Sequence, residues 1–152
     1  MAELVRSIAG DGRIRHVRDA EFFRWRFENP TRQYRFFYYV SDGKLTGFIA
    51  IAGYCRSKLQ FNIVDIEARN EEVLGELLES ACSWGSFPAV GAWLASHSPV
   101  ARTLLTQHGF VATDHGLRAR GMPCVLLKKI GSAESPAIEG AWDIRLIDSM
   151  HG

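Results

Sequence analysis

What this sequence lacks narrows its function before any motif is considered. Its 18 basic and 17 acidic side chains leave a formal charge of +1, so no global field draws in nucleic acid or an anionic membrane surface. Cysteine is scarce. Cys55, Cys82 and Cys124 are odd in number and far apart, each within an apolar run. That pattern describes small buried side chains in a reducing compartment and excludes a disulfide framework. His97, His108, His115 and Cys124 have no metal-ligand spacing, and no metal site is expected. No apolar run approaches the roughly 20 residues of a membrane span. Met1 to Gly12 has neither the basic start nor the apolar core of a signal peptide. A cytoplasmic protein with no membrane partner is the expectation.

What is present is the material of one ordinary domain. A chain of 152 residues, 47% hydrophobic and 23% charged, has enough apolar surface for a core without metals or disulfides. Residues 1–18 are weakly patterned, with a Gly-Asp-Gly break at 10–12. Asp19 suits the N-cap of a helix through Phe27, which Asn29-Pro30 ends. With Phe22, Phe23, Trp25 and Phe27, that helix is apolar on most sides and needs cover nearly all round.

The aromatic and β-branched run Tyr34 to Val40 predicts a strand. Ser41-Asp42-Gly43-Lys44 predicts a tight turn, and Leu45 to Tyr54 the returning strand. A third strand, Phe61 to Ala68, leads through Arg69-Asn70 into a helix from Glu71 to about Trp84. There Val73, Leu74, Leu77, Leu78 and Ala81 recur three and four apart, and Asn70 is the candidate N-cap. A fourth strand over Val90 to Ala95 then implies a right-handed parallel crossover beside the third. Ser98-Pro99 opens a last helix, which Gly109 stops. Phe110 to Thr113, Pro123 to Lys129 and a short segment around Trp142 to Leu146 read as further strands, with a linker over Gly131 to Gly140.

In this order of elements, with the last helix ending in Leu104-Leu105-Thr106-Gln107-His108-Gly109-Phe110, the chain resembles the GCN5-related N-acetyltransferase (GNAT) superfamily. The resemblance covers residues 19–130, with 1–18 as an N-terminal segment and 131–152 as linker and edge strand. It implies an α+β fold: a mixed sheet, mostly antiparallel with one parallel strand pair, flanked by helices. It also implies acetyl-CoA bound where the parallel strands part, with its pyrophosphate over a helix N-terminus. The backbone of Ile66 and Ala68 would then pair with the pantetheine arm, and Arg69, Asn70, Ser98 and Arg102 would flank the phosphates. Asp65 and Glu67 lie on one face of the third strand and are the candidate general bases for a small-molecule or peptide amine; the alternative is that this face is wetted or paired with arginine.

The chain departs from the family pattern at two places. The pyrophosphate loop follows Arg/Gln-x-x-Gly-x-Gly/Ala, and here Arg69 fits while Glu72 and Leu74 stand where glycines belong. The position of the family's proton-donating tyrosine is Leu105. A second reading follows, in which this is a non-catalytic domain of the same fold that has lost acetyl-CoA. Its partner would be another copy or a second domain of its kind. A third takes Arg13, Arg15, Arg18, Arg24, Arg26, Arg32 and Arg35, interleaved with aromatics, as a weak nucleic-acid surface. Asp19, Glu21 and Glu28 dilute that surface, and no nucleic-acid motif accompanies it.

Overall fold

The computed structural model describes residues 1–8, 17–54, 61–87, 89–92 and 99–111. Expectations for residues 93–95, Ser98 and everything beyond Val111 lie outside them, as do those for Arg13, Arg15, His97, Cys55 and Cys124. The described residues form an α+β fold of four helices around one four-stranded mixed sheet. The helices are α1 (Ala2–Ile8), α2 (Ala20–Phe27), α3 (Glu71–Trp84) and α4 (Pro99–Gln107). The strands are β1 (Arg32–Ser41), β2 (Lys44–Tyr54), β3 (Phe61–Ala68) and β4 (Val90–Ala92), in sheet order β1-β2-β3-β4. The first two pairings are antiparallel and β3–β4 is parallel, as the crossover through α3 requires.

Local chemistry fixes the turns and helix ends. Asp42 and Gly43 both have positive φ, 51° and 71°, which is what a two-residue hairpin needs to match strand twist. The Asp19 carboxylate accepts the Phe22 amide at 2.8 Å and starts α2. The Asn70 side chain accepts the Val73 amide at 2.9 Å and starts α3. Gly109, at φ 84°, ends α4. The Phe110 amide reaches back to the Leu105 carbonyl and the Gly109 amide to that of Thr106, both at 3.0 Å, which satisfies two carbonyls the helix end would leave open.

The sheet is covered on both faces. On one, Ile49, Ile51, Ile63 and Ile66 pack with Val73, Leu77, Leu78 and Ala81 of α3 and Leu105 of α4. On the other, Phe48 packs with Leu4 and Val5 of α1 and Phe23 of α2. Phe27 of α2 meets Tyr34 and Phe36 edge-on, at ring distances of 5.1 and 4.9 Å. Each large apolar side chain so buried stabilises the fold by about 1.5–3 kcal/mol.

Three features differ from the sequence reading. Residues 2–8 form a helix whose Leu4 and Val5 are buried, in a stretch too short for a clear period. Trp25 is 69% exposed, so α2 is covered on one side only. In β3, strict alternation breaks at a bulge: Ala50 pairs with Asp65 but Ile51 with Ile63, leaving Val64 unpaired. Val64 therefore packs with Ala50 and Ala52 on the side of Asp65, and Ile63 and Ile66 both turn to α3.

Gly47 lets α3 close on the sheet. A methyl group there would sit 2.6 Å from Val73 Cγ1 and 2.7 Å from Leu77 Cδ1. Both neighbours are buried and Val73 is rotationally stiff in a helix, so neither yields easily. Gly47→Ala is expected to destabilise the chain by about 1–3 kcal/mol through overpacking, measured by urea denaturation. An unchanged midpoint would contradict the close approach.

Candidate functional site

Two places on β3 carry chemistry: its buried carboxylates, and the junction where it passes into α3. Asp65 stands across from Ala50 and Glu67 across from Phe48, so both side chains leave the sheet on the face covered by α1 and α2. They are 1% and 6% exposed. The residue that makes this tenable is Arg18, itself 6% exposed, in the segment just before the α2 cap. Its Nη1 donates to both Asp65 carboxylate oxygens, at 2.7 and 2.9 Å, and its Nη2 donates to Glu67 Oε1. Asp65 Oδ1 also accepts the Ile66 amide at 2.9 Å. One guanidinium thus joins two carboxylates, with the fork geometry that arginine alone among cations provides.

The pair that the sequence singles out is therefore together on one face. Among the described residues it meets an arginine, beneath two helices. A general base must come within hydrogen-bond reach of the proton it takes. Here both Asp65 oxygens and one Glu67 oxygen already accept from Arg18, beneath α1 and α2.

At the β3–α3 junction Ala68 is half-buried, while Arg69, Asn70, Glu71 and Glu72 are exposed. The Arg69 amide donates to the Thr46 carbonyl at 2.9 Å, which ties the turn to β2. Since Asn70 holds the Val73 amide, the helix end supplies its own acceptor. An incoming anion has to displace that side chain and approach two carboxylates. At an effective dielectric near 20, a like-charge pair at 4 Å costs about 4 kcal/mol before screening. The acidic character continues along α3. The Tyr39 hydroxyl is held above the usual tyrosine range, chiefly by interaction with the Glu76 carboxylate and its charge, then by burial and by Glu72.

The remaining candidates are scattered. The Ile66 side chain is buried in the core on the α3 face, opposite to Asp65 and Glu67. Leu105 is 3% exposed in the same core, so the position where a proton donor would stand is packing. Arg102 is exposed on α4. It lines a cavity of about 530 Å³ with Cys82, Phe87, Ala92, His108 and Phe110 among others. Cys82 is twelve residues beyond Asn70, about 18 Å along α3, so this cavity lies at the far end of that helix. Cys82, expected from the sequence as a small buried side chain, is exposed, and the partial desolvation it keeps pushes its thiol up, away from thiolate. The β3–β4 ladder spans Phe61–Ile63 on β3 among the described residues. Among them, too, no group of acids, histidines or cysteines could hold a metal ion.

Of the arginines in the N-terminal third, Arg13 and Arg15 lie outside the described residues, Arg6 and Arg24 are exposed and Arg26 is half-buried, while Arg18, Arg32 and Arg35 do internal work. Arg18 serves the carboxylates, and Arg32 is buried. Arg35 donates to the Gly85 carbonyl and lies over the Phe87 and Phe61 rings, at 4.9 and 5.9 Å. Sequence reasoning allowed an arginine as partner of the two carboxylates but did not single out Arg18. Its one local signal is an inversion, with Val17 81% exposed beside a buried arginine. Compared with models of known protein families and with curated proteins, the chain matches none.

Two outcomes follow. Arg18→Met removes the cation that bridges the two buried carboxylates and is expected to cost about 3–5 kcal/mol in chemical denaturation, far beyond a surface arginine. A loss under 1 kcal/mol would contradict the pairing. Glu76→Gln removes the charge beside Tyr39 and is expected to lower the pH at which that tyrosine ionises, followed by ultraviolet titration. In the parent, the raised hydroxyl contributes stability that is present below the unfolded value of about 10 and lost as pH rises through the folded one.

Proposed function

We propose that this chain is a GNAT-like domain without acyltransferase activity, one that has given up acetyl-CoA and serves as an interaction domain. The observation that carries the proposal is the start of α3. There Asn70 occupies the Val73 amide, and Glu71 and Glu72 crowd the end where a pyrophosphate would rest. Two further observations support it. Asp65 and Glu67, the candidate bases, are engaged by Arg18. Leu105, in the place of the family's proton donor, is core.

The partner in this reading is a second domain, in the cytoplasm, and neither an amine substrate nor nucleic acid. The internal engagement of Arg18 and Arg35 speaks against a phosphate-binding surface built from this segment. No helix among the described residues is long and apolar enough to cross a membrane.

Thermal unfolding with millimolar acetyl-CoA at low salt tests the proposal. Cofactor at 100 times its dissociation constant would stabilise by about 2.7 kcal/mol, a shift of several degrees. No shift is expected. A saturable shift would favour instead the active acyltransferase, with acetyl-CoA as donor and a small-molecule or peptide amine as acceptor.

A further inference from the structure

Among the described residues strand β1 is the margin of the sheet, and its ten residues include Arg32 and Arg35 but no proline, lysine or acid, devices that keep a sheet edge single. From Gln33 to Ser41 its backbone bonds to β2, and no described residue hydrogen-bonds to its other side. Along this edge runs a row of apolar side chains. Tyr34, Phe36, Tyr38 and Val40 stand across from Ala52, Ala50, Phe48 and Leu45, so all four share the α2 face. Tyr34 and Phe36 stack, as do Phe36 and Tyr38, at ring distances of 6.2 and 5.9 Å. The row is wet at its hairpin end, where Tyr38 is 53% and Val40 60% exposed.

We propose that β1 pairs antiparallel with β1 of a second copy of this chain, about a two-fold axis at Phe37, to give a continuous eight-stranded sheet. The same strand supplies both sides, as an isologous interface requires. This register sets Tyr38 across from Phe36 of the other copy and Val40 across from Tyr34, so the two wettest side chains meet the two rings of the row. Such cross-strand apolar pairs are the stabilising unit of a sheet. It keeps like charges apart: Arg35 falls across from Tyr39 and Arg32 across from Asp42, whereas an axis at Arg35 would set arginine against arginine. The axis is normal to the sheet, so the helices of both copies stay on their own faces. The pairing does not involve the start of α3 and holds whether or not the chain binds acetyl-CoA.

The test combines sedimentation with a cross-link on the full chain. The parent is expected to sediment at twice the chain mass at tens of micromolar, and Tyr38→Lys or Val40→Lys at the chain mass with unchanged circular dichroism. Gln33 and Ser41, both exposed, face each other across the proposed axis. Directly opposed Cα atoms lie about 4.5–5.5 Å apart, within disulfide range. Within one chain the same two residues are eight apart along a strand, about 27 Å, so a bond between them must join two chains. Oxidised Gln33→Cys/Ser41→Cys is therefore expected to run as a covalent dimer in non-reducing electrophoresis, where the parent does not. A monomeric parent, a dimer that survives both lysine variants, or no added cross-link would each overturn the proposal. A chain that bound acetyl-CoA and also dimerised this way would cease to be an inactive domain and would keep this pairing.

Discussion

The interaction on which most of this structure depends is the buried contact of Arg18 with Asp65 and Glu67. Taking an ion out of water costs several kcal/mol, and only a close, well-directed counter-ion offsets it. Two carboxylates on the middle of a sheet would be untenable alone, and so would an arginine that is 6% exposed. Together they join the start of α2 to β3 across 47 and 49 residues of sequence. The Asp19 cap holds the next residue, so the segment is fixed from both sides. The layer of α1 and α2 is thus registered on the sheet by charge as well as by the Phe23, Phe27 and Phe48 rings.

That arrangement separates the carboxylates of β3 from the junction at the end of the strand. The bulge at Val64 turns Ile63 and Ile66 toward α3 and leaves Val64 and Asp65 on the other face. The face toward α3 and α4 is almost wholly apolar, Leu105 included, and the polar side chains of the strand lie under α1 and α2. The end of β3 then meets a helix that satisfies itself through Asn70 and presents Glu71 and Glu72 to solvent. A strand and helix in a geometry suited to an anion carry side chains suited to capping a helix.

How much of this could be read from the sequence depends on the range of the physics involved. The hairpin at Asp42-Gly43, the Asp19 and Asn70 caps and the Gly109 stop were all legible, because each is set by two to four neighbouring residues. The core stripe of α3 was legible from its period, and the parallel crossover from the handedness of strand–helix–strand units. Helix α1 was not, since seven residues give Leu4, Val5 and Ile8 too little period to stand out. The one-sided cover of α2 was also missed, because composition cannot say which aromatic faces water. Asp65 and Glu67 were picked out as a pair on one face, but nothing near them in sequence names Arg18 as their partner. Long-range pairing of charges leaves no local pattern, and the unpaired Val64 in β3 is equally silent in a run of apolar and acidic residues.

A double-mutant cycle between Arg18→Met and Asp65→Asn, followed by urea denaturation, tests the central contact most directly. Close, buried charge pairs give coupling energies of about 1.5 kcal/mol or more. A coupling in that range is expected, with Asp65→Asn costing much less once Arg18 is gone. Additive losses, with coupling near zero, would mean that arginine and carboxylate do not meet, and the charge-registered packing of α1 and α2 on β3 would fall with them.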